Sequence, residues 1–192
     1  MSFNLSMFVQ SIKADLVQVR GGVGLKDFLS AVLLNQSFKR ILLYRVCHYC
    51  NNKILSSVLG IIDRLVSTHY NVYIVKDAEI GKGFCIGHCF SIIISQCKIG
   101  NNVVVMQQVT IGSSRGGKRA GVPVIGDNVF IGCGAKILGN VHIGNHVMIG
   151  ANAVVTHDVP DGAVVGGVPA KILSMDGVEQ SKLWCLPYNT HC

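Results

Sequence analysis

Aliphatic residues recur at every sixth position between 125 and 155: Ile125, Ile131, Ile137, Ile143, Ile149 and Val155. Each is followed four positions later by a Val or Ala, from Val129 and Ala135 to Ala153 and Val159. A period of six fits no helical stripe, so an amphipathic helix cannot keep these side chains on one face. Short extended segments joined by corners can. Stacked as parallel strands about 4.8 Å apart, they set each aliphatic on the one from the coil below and build a solenoid. Gly126, Gly132, Gly144 and Gly150 directly follow the aliphatics, where a tight corner favours a residue without a Cβ. The same period runs through Ile80, Ile86 and Ile92 and, after a change of phase, through Ile99, Val105 and Ile111. Ile125 stands fourteen residues beyond Ile111, so the segment SSRGGKRAGV leaves the coil as a loop.

Before the repeat the pattern is helical. Leu25, Phe28, Leu29 and Val32, then Phe38, Ile41, Leu42 and Arg45, follow helical spacing, with breaks predicted at Asn51-Asn52 and Gly60. Two or three helices are expected. The chain divides into an N-terminal helical region (1–70), a solenoid of about five coils (71–173) and a tail (174–192) that caps the solenoid end.

Composition narrows the class. With 192 residues there is room for one repeat domain and an appendage. The apolar stretch around Leu55 to Val66 is interrupted by Asp63 and Arg64 and is too short to span a bilayer. The opening MSFNLSMFVQSIKADL lacks the features of a signal peptide, so a cytoplasmic location is expected. Several of the eight cysteines fall inside the repeat, where a thiol packs as a small hydrophobe. Cys47 and Cys50 have zinc-like spacing, which Cys185, His191 and Cys192 would have to complete, but no second CxxC exists and no metal is expected. Of the net charge of +7, residues 1–70 carry eight Lys or Arg against three acids. That basic helical face suits an anionic membrane surface, an acidic glycan or plain solvation. No basic run interleaved with aromatics points to nucleic acid.

The stretch GCGAKILGNVHIGNHVMIGANAVVTHDVPDGAVVGGVPAKIL, residues 132–173, resembles the terminal coils of the serine acetyltransferase branch of hexapeptide-repeat acyltransferases, most specifically in AKILGN and GGVPAKI. The resemblance implies a left-handed parallel β-helix, a homotrimer, and acetyl transfer from acetyl-CoA to a hydroxyl in clefts between subunits. His88, in GFCIGHCFS, falls on the family's catalytic histidine. A neutral imidazole with a pKa near 6.5 can accept a hydroxyl proton during attack on a thioester, whereas a histidine at a coil corner can equally be structural. Cys89 beside it suggests an acyl-cysteine route, but neighbours in an extended chain point to opposite sides.

For CoA, the resemblance points to Lys171 near the nucleotide phosphates. Lys118 and Arg119 lie in the inserted loop, and Gly134, Ala135, Gly150 and Ala151 keep the coil narrow where pantetheine would lie. Gln107 and Gln108 can project into the same cleft as His88 and hydrogen-bond an acceptor hydroxyl or the thioester oxygen. His142, His146 and His157 face outward or sit at turns and carry no expected chemistry.

The chain departs from serine acetyltransferases around the acceptor. The Asp fifteen residues before the histidine is Tyr73, the Asp preceding it is Gly87, and the second histidine aligns with Val122. Gly87 and Val122 thus replace groups that hold the amino acid's charges. LLYRVCHYC (42–50) and the Tyr73 region resemble colanic-acid and capsular polysaccharide acetyltransferases instead. The expected reaction is therefore O-acetylation of a sugar or polysaccharide precursor, with Tyr73, Gln107 and Gln108 at the acceptor. The alternatives are serine O-acetylation and a non-catalytic scaffold. The N-terminal helices would pair trimers or touch a membrane.

Overall fold

The computed structural model describes residues 5–117 and 119–185. Four helices come first: α1 (Leu5–Arg20), α2 (Leu25–Leu34), α3 (Gln36–Tyr49) and α4 (Lys53–Tyr70). The hydrophobic pattern missed α1 because its buried face includes Ser11, Asp15 and Gln18 alongside Leu16 and Val19, which leaves no apolar stripe to read. The break at Asn51-Asn52 is present, with the Asn52 side chain capping α4 by accepting from the Leu55 N–H at 3.0 Å. The break expected at Gly60 is not, and α4 runs straight through it. One helix-interior glycine costs only about 1 kcal/mol, which flanking turns can absorb.

The solenoid has three sheets. The first holds β1 (Val72–Ile74), β4 (Ile92–Ile94), β7 (Thr110–Gly112), β10 (Lys136–Leu138) and β13 (Val154–Val155). The second holds β2 (Glu79–Ile80), β5 (Lys98–Ile99), β8 (Val124–Ile125) and β11 (His142–Ile143). The third holds β3 (Cys85–Ile86), β6 (Val104–Val105), β9 (Phe130–Ile131), β12 (Met148–Ile149), β14 (Val164–Gly166) and β15 (Lys171–Ser174). Within each sheet neighbours run parallel until β15 turns back antiparallel on β14. The aliphatic ladders predicted from the repeat form the core, as in Ile86, Val105, Ile131, Ile149 and Val165, all at most 2% exposed.

Two details differ from the sequence pattern. The ladder member in the second coil is Ile94, paired with Ile74 and Ile111, and not Ile92, which stacks separately on Val72. The run Ile92-Ile93-Ile94 concealed this, since each residue satisfies the aliphatic pattern. The spacing is therefore eight residues from Ile86 to Ile94 and five from there to Ile99, so residues 87–91 form an enlarged corner. The glycines after the aliphatics also act differently than expected. A Cβ on Gly126 would come within 2.8 Å of the Gly144 carbonyl, and one on Gly132 within 2.7 Å of Ile149 O. Close approach of the next rung excludes side chains there; the positive φ angles fall elsewhere, on Asn102, Asn128 and Asn152 among others.

The helices cover the third sheet. Leu16, Val19, Ala31 and Phe38 pack over Cys85 and Val104. A buried ion pair fixes the helices to the first coil: Arg45 Nε and Nη2 donate to the two Asp15 oxygens at 2.9 and 3.1 Å, and both side chains are fully buried. Arg45 also donates to Ile80 O at 2.6 Å and Gly81 O at 2.5 Å, while Asp15 accepts from the Phe84 N–H at 2.9 Å. The tail forms α5 (Gly177–Trp184), whose Trp184 ring lies 4.9 Å from Phe130 and whose Ser181 Oγ is 3.1 Å from His146 Nδ1.

Burial pushes the Cys85, Cys97 and Cys185 thiols from 9.0 up to about 12. Because the folded thiols hold their protons above the pH at which unfolded ones lose them, their stability contribution is full below pH 9 and lost progressively as pH rises toward 12. Each costs about 1.4 kcal/mol per pH unit in that window. Urea unfolding is expected to show a markedly lower midpoint at pH 10 than at pH 8, with a smaller decline in Cys97→Ala. Superimposable curves for the two proteins would mean that the thiol does not contribute.

Candidate active site

The enlarged corner between the third and first sheets places His88 in solvent. The Phe90 N–H donates to His88 O at 2.9 Å, and Phe90 O accepts from the Gln108 N–H at 3.1 Å. Ser91 has φ 53°, which turns the chain into β4. These contacts fix the backbone of the corner while the imidazole stands exposed, with no hydrogen bond to any of the described residues. Cys89 points the other way. It packs against the core, and burial raises its thiol above the ordinary range despite a hydrogen bond with Ser37 and the nearby Arg40 charge. A thiol held protonated is a poor nucleophile, which disfavours an acyl-cysteine route.

Strand register stacks the same corner through all five coils. Gly87 lies against Met106, Met106 against Gly132, Gly132 against Gly150, and Gly150 against Gly166, through N–H donation to Val105, Ile131, Ile149 and Val165 carbonyls at 2.8–3.0 Å. One position on, His88 heads a column continued by Gln107, Cys133, Ala151 and Gly167. Four rungs of about 4.8 Å make this ledge about 19 Å long. Its upper part is glycine and alanine, so an extended chain can lie along it; Gly134 and Gly150 are half-buried and Ala151 is exposed. Ala135 is fully buried in the coil, its N–H donating to Gly132 O and its carbonyl accepting from the Thr110 N–H, so it does not face the ledge as the sequence suggested. Lys171, exposed on β15 opposite Gly166, stands at the far end.

Gln107 and Gln108 flank the His88 corner. Gln107 Oε1 is buried and has no hydrogen-bond partner among the described residues, whereas Gln108 is exposed and its carbonyl accepts from Lys136 Nζ at 2.5 Å. Tyr73 forms no hydrogen bond with His88; it lines a cavity of about 300 Å³ under α4, together with Tyr44, Asp63 and Lys76. Phe90 and Met106 were not singled out by the sequence. A Cβ on Gly87 would overlap Met106 Sδ, so the thioether fills the room beside the imidazole; this follows only from the register.

The inserted loop sits at the opposite edge of the first sheet, between β7 and β8. Ser114 and Gly121 exchange backbone hydrogen bonds at 2.9 Å. Arg119 donates to Asp158 at 3.2 Å, and the Asp158 carboxyl is held below its usual range first by the His142 N–H and then by Arg119. Lys118 lies outside the described residues. Val122, also at this edge, is separated from His88 by the width of the sheet within one chain. Among the described residues no cluster of His, Cys, Asp or Glu is arranged to hold a metal, and no helix is long and apolar enough to cross a membrane. His191 and Cys192 lie outside the described residues. His142 and His157 are exposed, and His146 contacts α5.

Parallel hexapeptide rungs, with an imidazole exposed at one corner and a ledge of small residues above it, define a hexapeptide-repeat acyltransferase. Residues 123–157 match the family described as bacterial transferase hexapeptide (six repeats). A serine acetyltransferase of Bacillus licheniformis is 31% identical over 173 residues, covering 89% of this chain and 80% of the relative. One from Haemophilus influenzae is 38% identical over 148 residues, 76% of this chain, and this chain spans only 55% of that longer protein. The Neisseria gonorrhoeae serine acetyltransferase structure superposes with a TM-score of 0.76 at 30% identity, covering 89% of this chain and 68% of that one. A serine acetyltransferase structure in complex with CoA matches with a TM-score of 0.73 at 33% identity, covering 88% and 71%. The chain belongs to the serine acetyltransferase family. This corrects the expectation of a colanic-acid or capsular polysaccharide O-acetyltransferase acting on a sugar, because these relatives are serine acetyltransferases and their similarity extends through most of the chain. The short runs around 42–50 and Tyr73 that suggested a sugar acceptor lie in α3 and β1.

Proposed function

We propose that this chain is an acetyl-CoA-dependent serine O-acetyltransferase with His88 as general base. The observation that carries the reading is the exposed imidazole at the foot of the ledge, in a chain aligned over most of its length with serine acetyltransferases. Serine's hydroxyl gives its proton to the neutral imidazole as its oxygen attacks the thioester carbonyl. The tetrahedral intermediate collapses with loss of the CoA thiolate, which takes the proton back from the imidazolium. The Gln107 carboxamide, whose Oε1 has no hydrogen-bond partner among the described residues, is our candidate to accept a hydrogen bond from the serine hydroxyl. Gly134, Gly150 and Ala151 supply the pantetheine ledge, and Lys171, with Lys118 and Arg119 of a neighbouring copy, meets the phosphates.

His88 and the loop edge of the first sheet face apart within one chain, so a site that uses both needs a second copy. A homotrimer with sites between subunits supplies it. Both substrates are cytoplasmic metabolites, and the reaction is placed there.

The purified protein is expected to release CoA only when serine is present. Saturating serine without CoA release above the acetyl-CoA hydrolysis rate would refute the reading. Gly87 and Val122 offer no charge to the amino acid, and each missing charged hydrogen bond is worth about 1.5–3 kcal/mol. A high KM for serine is expected, falling about tenfold or more in the double variant Gly87→Asp/Met106→Ala, in which the thioether no longer blocks the new carboxylate.

A further inference from the structure

The face that α4 turns toward α3 and β1 is made of small and polar residues. Ser56, Gly60, Asp63 and Ser67 stand four, three and four positions apart and so share one side of the helix. A helix ordinarily sets larger apolar side chains against the body of its protein. Here the small ones leave a cavity of about 300 Å³, bounded on its other sides by Tyr44 and Cys47 of α3 and by residues 73–76. That volume is at the lower end of small-molecule pockets, about 300–1,000 Å³. None of the lining residues belongs to the His88 corner, 87–91.

Gly60 is the first sign that this space is kept for a ligand. A glycine in a helix interior weakens the helix. Gly126 and Gly132 are required by the close approach of the next rung, but a Cβ on Gly60 would meet no atom within 4 Å, and Gly60 is not among the glycines with positive φ. Neither crowding nor backbone geometry calls for a glycine there. A side chain at this position would stand over the cavity and take up its room, since Ser56 and Asp63, one turn away on either side, line it too.

Arg40 is the second sign. It is fully buried, with Nε donating to Val72 O at 3.0 Å and Nη2 to Ser67 Oγ at 3.1 Å. Nη1 lies 3.1 Å from Asp63 Oδ1, but the contact is not aligned as a hydrogen bond, so this buried group has no acceptor among the described residues. Buried donors are normally satisfied. Asp63 and Ser67, which touch the guanidinium, both line the cavity, so an acceptor bound there joins the same polar cluster.

Charge and lining select the chemistry of the ligand. Arg40 and Lys76 carry two positive charges against the single negative charge of Asp63, and Lys76 Nζ makes no hydrogen bond or ion pair among the described residues. One positive charge is left for a monoanion. The Ser56 and Tyr73 hydroxyls add donors to the lining. The rest of the wall is apolar: Ile74 and Cys47 are buried, and the buried Tyr44 presents its ring, its hydroxyl being spent on Ala78 O at 2.6 Å. We propose that the cavity under α4 binds a small organic monocarboxylate, with the carboxylate toward Lys76 and the hydroxyls and an apolar body against Tyr44 and Ile74.

The test is calorimetric titration of the full chain with benzoate and with isovalerate, alongside Gly60→Ala, Gly60→Leu, Lys76→Gln and His88→Ala. Saturable binding of at least one probe is expected at one site per chain, kept in Gly60→Ala and lost in Gly60→Leu, whose side chain fills the cavity. Lys76→Gln should raise Kd about tenfold or more, the loss of one charged hydrogen bond. Replacing a helical glycine favours the helix, so both Gly60 variants should unfold in urea at or above the parental midpoint. Lys76→Gln keeps the test open if Gly60→Leu fails to fold. Absence of saturable binding by both probes overturns the proposal, as does unchanged affinity in Gly60→Leu or in Lys76→Gln. Binding lost in His88→Ala would assign the probe to the active site, and tighter binding of inorganic phosphate than of either carboxylate would assign the cavity to another anion; each outcome overturns it. Failure of serine-dependent CoA release defeats the catalytic reading and leaves this one standing.

Discussion

His88→Ala is expected to lower kcat for serine-dependent CoA release by about 10²–10⁴, the range general-base catalysis supplies, with little change in the KM for acetyl-CoA. The side chain is solvent-exposed and makes no hydrogen bond among the described residues, so its removal costs the fold almost nothing. The backbone of the corner is held by Phe90 N–H to His88 O and by Gln108 N–H to Phe90 O, neither of which involves the imidazole. The circular dichroism spectrum and unfolding midpoint should therefore match those of the unsubstituted protein while turnover collapses. Residual activity within a few-fold of the parent would remove His88 from the reaction.

The largest loss of stability is expected at the Asp15–Arg45 pair. Both side chains are fully buried, and the guanidinium donates to two carboxylate oxygens and two backbone carbonyls. Burial opposes the charge on Asp15, raising its pKa, while Arg45 and the Phe84 N–H act against that. Removing one partner leaves the other charged in a site without water, which typically costs about 3–5 kcal/mol. Asp15→Ala should lower the urea midpoint by an amount comparable to a large share of a typical domain stability, about 5–15 kcal/mol. The double variant Asp15→Leu/Arg45→Met should recover much of the loss, since apolar replacements of both partners remove the uncompensated charge. If Asp15→Ala unfolds at the parental midpoint, the pair is not what fastens the helices to the first coil.

The solenoid was legible because its signal is repeated. Each rung restates the period, so Ile125 through Val155 identify the architecture even if a single coil is misread. The helices were harder to read where their chemistry is inverted. α1 buries Asp15 and Gln18, and its role as the anchor for Arg45 is visible only when residues 30 positions apart in sequence are brought together. Ile94 was hidden by its two isoleucine neighbours, and with it the enlargement of the corner that exposes His88. The histidine itself could be named from the motif around it, whereas Met106 at its side could not, because the residue filling Gly87's missing side chain belongs to another coil. The acceptor was illegible for a related reason. Single replacements at Tyr73, Gly87 and Val122 point away from an amino acid, whereas similarity to serine acetyltransferases is spread along most of the chain, and a charge missing at one position does not establish which molecule binds there.

The buried amide of Gln18 donates to the Cys185 carbonyl at 2.7 Å, joining α1 to the end of α5 across 167 residues. On a ribosome, where chains emerge N-terminal end first at about 5–20 residues per second, α1 waits for this partner for on the order of ten seconds or longer while the coils stack one by one. The solenoid can grow coil by coil, yet the clasp between α1 and the end of α5 closes only after synthesis has passed Cys185.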